Sequence, residues 1–442
     1  MVLNKVYHRF SKYLSNASWI IFEKILTMGI TLLVTVFLAR YLGPERYGVL
    51  AYAISLVAIL AIPGHAGLSG LVIRELVKYP DAKEEIMGTS FMLKGLGYLT
   101  GFFLLIMYAY LIEGQQGQAF WVLLVLATMV LFQAFDVIDF LYQSRLEAKY
   151  TAISRSVAIV LSASAKIGLI FLGSGLIYIA LAHALQALMS ALCLVLFYCF
   201  KSRERISNWK VSFIRARELL SQGWLVFLGT IFAVIYLKVD QVMLMWLKGD
   251  EEVGIYAVAA TLSEAWYFFP AAIVASVFPK LIQLKKTNPL TYKKRLQQLF
   301  DLLFILAICV AVLVTFFSEI LIEQVFGASY IESANILTVH IWAAVFIFMR
   351  TVFSKWILIE NVLVFSLITQ GMGAVTNIIL NLVLIPEYGG LGAAYATILS
   401  YAAASYVALL FSAKTRPVFW MMTFAMLSPF RYVMFKSYIN NR

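Results

Sequence analysis

The chain has 442 residues, 62% of them apolar and only 13% charged, with 35 Lys and Arg against 23 Asp and Glu for a formal net charge of +12. Soluble domains run at about 45–50% apolar and about 25% charged. A water-soluble enzyme is therefore excluded, because a core of this size cannot hide so much apolar surface. The expected class is an all-α polytopic membrane protein, in which basic residues report topology and no nucleic-acid partner is implied.

In chain order, Lys5, Arg9 and Lys12 precede an apolar run. It is too long for a signal-peptide core and is followed by no small-residue cleavage site, so it reads as a retained first membrane helix. A crossing needs about 20 mostly apolar residues. Twelve windows meet that length: 17–39, 48–71, 89–112, 119–141, 152–172, 176–199, 219–247, 254–279, 297–321, 333–357, 362–385 and 390–413. Turn residues separate them: Gly43-Pro44, Gly114 and Gly117, Gly173 and Gly175, and Pro386 to Gly390. Pro417 to Phe430, flanked by Lys414, Arg416 and Arg431, is too short to span and reads as an interfacial helix. Cys193, Cys199 and Cys309 lie in apolar runs without metal or disulfide spacing, so neither metal nor cofactor is expected.

With the N-terminus in the cytoplasm, 26 of the 35 basic residues fall on the cytoplasmic side and only Arg40, Arg46 and Lys248 outside. That asymmetry predicts an N-in, C-in protein. The segment after the first span repeats after the seventh at an offset of 206 residues: Gly43 matches Gly249, Glu45 matches Glu251 and Gly48 matches Gly254, with Ala51, Ala53 and Leu56 matching Ala257, Ala259 and Leu262. Both copies sit at the same place in a six-span half, which implies parallel repeats. The expected organisation is a six-helix bundle over 1–200, a cytoplasmic seam loop over 201–218, a second six-helix bundle over 219–413 and a basic tail over 414–442. Two such pseudo-symmetric bundles with a cleft between them suit an alternating-access transporter.

Four stretches carry a likeness to a known family: Ala39-Arg-Tyr-Leu-Gly-Pro-Glu-Arg-Tyr-Gly48; Ile138-Asp-Phe-Leu-Tyr-Gln-Ser-Arg-Leu-Glu-Ala-Lys-Tyr150; Lys238-Val-Asp-Gln-Val-Met-Leu244 with Val253-Gly-Ile-Tyr256; and Leu262-Ser-Glu-Ala-Trp-Tyr-Phe-Phe-Pro270 with Phe278-Pro279. On these, and on span count and seam position, the chain resembles the Wzx-type polysaccharide-transport flippases of the multidrug/oligosaccharidyl-lipid/polysaccharide (MOP) exporter superfamily. The resemblance implies a MATE-like fold in a bacterial inner membrane. It implies a flippase that moves an undecaprenyl-pyrophosphate-linked oligosaccharide, such as an O-antigen repeat unit, from the cytoplasmic to the periplasmic leaflet. The implied partners are that lipid-linked oligosaccharide, membrane lipids and polysaccharide polymerase machinery. No catalytic residue is implied.

A charge near the bilayer centre costs roughly 2.5–3.5 kcal/mol on insertion scales, so charges within spans are functional or paired. Lys166 and Arg155 are eleven residues apart on span five, close to three turns, and share a face with Ser162 and Ser154 on its edge. Lys24, Lys94 and Arg350 lie in the cytoplasmic third of spans one, three and ten. The five cations together are the expected substrate-binding set, giving a positive cavity for a pyrophosphate; for the last three, snorkelling to the interface is the competing reading. Glu264, Asp240, Lys238, Asp139 and Asp136 are the expected coupling or gating residues; Glu23 is a further acid. Asp136 and Asp139 share a helix face, and an Asp139–Arg155 latch competes with a binding role. Lys238 and Asp240, two apart, point in different directions. Glu264, near the middle of span eight, is expected to pair with Lys166 or Lys24 or to carry a coupling proton.

Pro63 and Gly64, within Pro63-Gly64-His65-Ala66-Gly67, read as a hinge in span two. Gly95, Gly97, Gly371 and Gly373 read as close-packing positions. Trp266, Tyr267, Phe268 and Phe269 read as packing residues, with sugar stacking as the alternative. A multidrug or cation antiporter of the same superfamily would favour a cavity of acids and aromatics. A membrane polymerase or ligase would need a large external loop.

Overall fold

The computed structural model describes residues 2–115 and 117–428, with side chains from Ser15 onward. The side chains of Lys5, Arg9 and Lys12, together with Phe430 and Arg431 of the predicted interfacial stretch, lie outside the described residues. Among the described residues all regular structure is helical, as hydrocarbon demands: a helix satisfies its own backbone groups and leaves none for water.

The chain divides into two compact units, 1–234 and 235–442. The first contains α1 (Val2–Leu60), α2 (Ser69–Lys78), α3 (Lys83–Tyr108), α4 (Gln118–Phe132), α5 (Val137–Ser144), α6 (Ala148–Phe171) and α7 (Leu176–Leu196). The division falls inside α8 (Phe213–Lys248). The second contains α9 (Asp250–Glu264), α10 (Phe268–Thr287), α11 (Pro289–Phe326), α12 (Glu332–His340), α13 (Ala343–Glu360), α14 (Val364–Ser405) and α15 (Arg416–Met426). Among the described residues, ten helical stretches are long and apolar enough to cross a membrane. Two of them, α1 and α14, are bent where the sequence reads as a turn, at Gly43 (φ 72°, ψ 170°) and Gly389 (φ 55°, ψ −132°).

The two matched segments are alike in their backbone. Gly43 and its sequence match Gly249 (φ 95°, ψ −176°) adopt the same conformation, one that a Cβ would forbid. Glycines with positive φ also stand at Gly114, Gly173, Gly327 and Gly389. These six positions are the junctions between predicted spans one and two, three and four, and so on in pairs, all on the side expected to be external.

Predicted span two departs from its expected limits. Its helix stops at Leu60 rather than continuing to residue 71, and a 3-10 turn over Ile62–Gly64 leads through Ala66 (φ 45°) and Gly67 (φ 64°) into α2. Pro63 supplies no backbone donor and the positive φ values end the helical path. Gly64 lies so close to α3 that a Cβ on it would be 2.0 Å from the Tyr98 ring, and one on Gly97 would be 2.3 Å from the Pro63 carbonyl. The residues that read as a hinge thus also make a close helix contact of the small-residue kind. Four other predicted spans are interrupted: by 3-10 turns at Gln133–Asp136 and Ala265–Tyr267, at Ile341–Trp342 between α12 and α13, and at Tyr406, where α14 gives way to a 3-10 turn over Val407–Phe411.

In the second unit, Phe300, Phe348, Met349 and Phe353 form a core that α15 joins through Val418, Met422 and Ala425. The opposite face of α15 exposes Trp420 and Phe424, so both faces are apolar. In the first unit the segment after α7 is tied down. Glu204 accepts from Lys83 Nζ at 2.6 and 2.7 Å and from Arg145 at 3.2 Å. The Lys210 amide donates to the Glu84 carbonyl and the Ser212 amide to Thr89 Oγ1. The Trp209 indole donates to the Tyr198 hydroxyl at 2.8 Å.

Burial raises the pKa of the Glu204 carboxyl, but Lys83 and Arg145 outweigh it and hold the group below its ordinary value. A depressed carboxylate stabilises the folded loop above its unfolded pKa, and that contribution is lost as pH falls through the folded value. Hydrogen-exchange protection of residues 202–212, corrected for intrinsic rates, is expected to drop on acidification below the carboxylate range. In Glu204→Gln it is expected to be low already at neutral pH; equal protection in both proteins would refute the clamp.

Candidate functional site

In the first unit, α1, α4, α6 and α7 enclose a cavity of about 280 Å³. Its polar lining is Glu23 and Thr27 from α1, Arg155 from α6, and His183, Gln186 and Ser190 from α7. The three α7 residues fall at spacings of three and four, on one face of an otherwise apolar helix. Arg155 is fixed by Asp139 on α5, donating Nη2 to Oδ2 at 2.9 Å, while Gln143 donates to the same oxygen at 2.9 Å. Asp139 keeps 4% of its side chain exposed and Arg155 34%. One oxygen of the acid thus serves both Arg155 and Gln143 while its Oδ1 is buried without a partner, and Arg155 still lines the cavity. Removing one partner would leave a buried charge uncompensated, at a cost of roughly 3–5 kcal/mol.

Lys166, buried on α6, approaches His183 Nδ1 at 3.2 Å. Lys94 is buried on α3 with its ammonium 5.1 Å from the ring centres of both Tyr98 and Phe140, a cation–π cage near Asp136 and Asp139. Lys24 departs from the expected set. It is exposed, 3.8 Å from Glu23, and its acidic neighbour lines the cavity in its place. Consecutive helix residues point about 100° apart, so only one of the two can face inward.

In the second unit the buried carboxylate is Asp240 on α8. Asn381 Nδ2 donates to its Oδ1 at 2.6 Å, and the hydroxyls of Tyr256 and Thr397 lie 2.9 and 2.8 Å from its Oδ2. Asn377 accepts from Asn381 at 3.2 Å, and the Asn381 carbonyl oxygen is buried without a partner. A carboxylate with neutral amide and hydroxyl oxygens around it, sealed from water, suits a proton or a small bare cation. Two residues earlier on the unbroken α8, Lys238 points elsewhere and pairs with Glu264 at 3.9 Å. Within this unit Glu264 pairs with Lys238 at the end of α9, where the helix gives way to the 3-10 turn; Lys166 and Lys24, its expected partners, belong to the first unit. Arg350 donates to the Ala404 carbonyl at 3.2 Å and to Thr369 Oγ1 at 3.3 Å. It uses the backbone and a hydroxyl instead of a carboxylate. Of the expected cations in the first unit, Arg155 and Lys166 come to the cavity wall together through His183, Lys94 is caged on α3 and Lys24 is exposed; Arg350 belongs to the second unit.

Sequence reasoning passed over His183, Gln186, Ser190, Asn377, Asn381 and Thr397. The available signal was polar residues three or four apart inside apolar spans, where an isolated amide or imidazole costs energy unless it is bonded.

Residues 13–285 match the model of the polysaccharide biosynthesis protein family. The chain belongs to that family. It is 26% identical over 347 residues, covering 74% of this chain and 80% of the relative, to a Shigella flexneri protein named "Putative O-antigen transporter". Among solved structures it is similar to the lipid II flippase MurJ in an inward closed conformation, with a TM-score of 0.71 at 18% identity over 95% of this chain and 92% of that one. It is also similar to an inward-facing multidrug-resistance MATE transporter of the MOP superfamily, with a TM-score of 0.61 at 15% identity over 90% and 95% of the two chains. The fold is MurJ- and MATE-like, in a multi-pass membrane protein.

Proposed function

We propose that this member of the polysaccharide biosynthesis protein family flips an undecaprenyl-pyrophosphate-linked oligosaccharide, an O-antigen or similar repeat unit. Transfer runs from the cytoplasmic to the periplasmic leaflet of a bacterial inner membrane by alternating access, without a catalytic step. The observation that carries this reading is the cavity of the first unit. An arginine oriented by a buried aspartate stands among an imidazole, an amide and two hydroxyls inside a membrane-spanning bundle. Guanidinium and ammonium groups in a low-dielectric wall attract a pyrophosphate, and neutral hydrogen-bonding groups suit sugar hydroxyls. The name of the Shigella relative supports the same substrate class.

Twelve spans follow if α1 and α14 are each counted as two at their glycine bends, and the basic residues then favour N-in, C-in orientation. The six glycine junctions are too short for an external catalytic domain, which speaks against a polymerase or ligase. The antiporter reading draws support from Asp240. That site holds one carboxylate among small neutral groups, however, and fits a coupling proton or small cation better than a bulky organic one. Asp240 is accordingly assigned to coupling, with the Lys238–Glu264 pair beside it in a gating role.

In a strain lacking its own copy of the gene, the wild-type protein is expected to restore surface glycan. Lys166→Ala is expected to reach the membrane at normal level without restoring it, and Asp240→Asn to restore less than a tenth. Surface glycan at the wild-type level in Lys166→Ala would refute the binding role; the same level in Asp240→Asn would refute coupling. Orientation is tested separately. A single cysteine at position 207 is expected to resist membrane-impermeant thiol reagents in intact cells and to react after permeabilisation; labelling of intact cells would invert the topology.

A further inference from the structure

The contact between Lys166 and His183 is unusual among the buried charges. Lys166 is 5% exposed, and its partner is another base, not an acid. The lysine can only donate, so the imidazole accepts at Nδ1 and carries its own hydrogen on Nε2. That Nε2 is buried and has no protein partner, while the ring lines the cavity that holds Arg155. The imidazole therefore has one nitrogen on the lysine and the other buried without a bond, on a residue that lines the cavity.

The neighbouring charges are few. From α1 come Glu23, which lines the cavity and accepts from Thr27 at 3.3 Å, and the exposed Lys24. From α6 comes Arg155, engaged by Asp139 of α5. Asp136 lies in the 3-10 turn before α5 and faces Lys94 of α3. The helix α4 contributes no ionisable side chain. Two cations 3.2 Å apart in this setting repel strongly, so the empty site favours one shared proton over two. A pyrophosphate in the cavity would add negative charge beside the imidazole and reverse that preference.

We propose that Lys166 and His183 form a proton-sharing pair that takes up a second proton from water when the cavity binds an anionic pyrophosphate, so that substrate capture in the first unit is itself proton-coupled. The step is simple protonation. The Lys166 ammonium gives up its hydrogen bond to His183 Nδ1, the proton from water enters at that nitrogen, and the resulting imidazolium donates from Nε2 to a phosphate oxygen with a full positive charge behind it. Release of the anion returns the proton. The inference rests on the assignment of this cavity to the pyrophosphate and goes beyond it by naming what moves with the substrate.

The test is titration calorimetry of the full-length protein in nanodiscs with farnesyl pyrophosphate, run at one pH in two buffers of different ionisation enthalpy. The difference in heat counts protons exchanged per ligand bound. Wild type is expected to take up about one proton more per ligand than either His183→Gln or Lys166→Met, because neither variant retains the coupled pair. Both variants are expected to bind more weakly. Binding by wild type with the same proton count as the variants overturns the proposal and leaves the pyrophosphate site standing. Absence of binding by wild type overturns both. Should His183→Gln not fold, the comparison with Lys166→Met decides, and the wild-type count must fall to the same level when that lysine is replaced.

Discussion

Hydrocarbon offers no water to a polar group, and this constraint organises both units of the protein. Each charge inside a span must find its partner within the chain or pay several kcal/mol. Asp139 takes Arg155 and Gln143, Asp240 takes an amide and two hydroxyls, Lys238 takes Glu264, and Arg350 turns to a carbonyl and a threonine. Once those demands are met, what stays unsatisfied is informative. It includes an imidazole nitrogen on the cavity wall of the first unit and an amide oxygen beside the buried aspartate of the second. Both lie where a ligand would supply the missing bond.

The two halves share a frame and differ in chemistry. Gly43 and Gly249 hold the same backbone conformation. The helical interruptions also fall in corresponding spans: the second and eighth at Ile62–Gly64 and Ala265–Tyr267, the fourth and tenth at Gln133–Asp136 and Ile341–Trp342. Yet the turn in the second span carries Pro63 and Gly64, while Glu264 stands at the start of its counterpart. A basic cavity occupies one unit and a caged carboxylate the other. The likeness is one of backbone, and the polar residues set into it differ.

Much of the fold was legible because membrane helices announce themselves by length and apolarity. The junction glycines were also legible, since the turns they make require a residue without Cβ. The Asp139–Arg155 pair could be anticipated from depth alone. The end of predicted span two could not: Leu68, Leu71 and Val72 are as apolar as any span residue, and only the combined effect of Pro63, Ala66 and Gly67 stops the helix at Leu60. Partners across helices were equally hidden. Glu264 meets Lys238 because α8 and α9 are neighbours through one glycine, whereas sequence depth made Lys166 or Lys24 look equally available. Asn377, Asn381 and Thr397 carry no charge, and a search guided by charge passes over them, although they are what makes the site of Asp240.

The junction glycines have a mechanical consequence. A short connection that turns on one residue in a conformation unavailable to others has little slack, so the helices it joins behave as a stiff V. Each unit is then three such pieces linked on the opposite side by longer, more varied segments. Internal rearrangement has to be hosted by those segments and by the interruptions within the even-numbered spans. Within each unit the tight corners are the fixed points about which the rest is articulated.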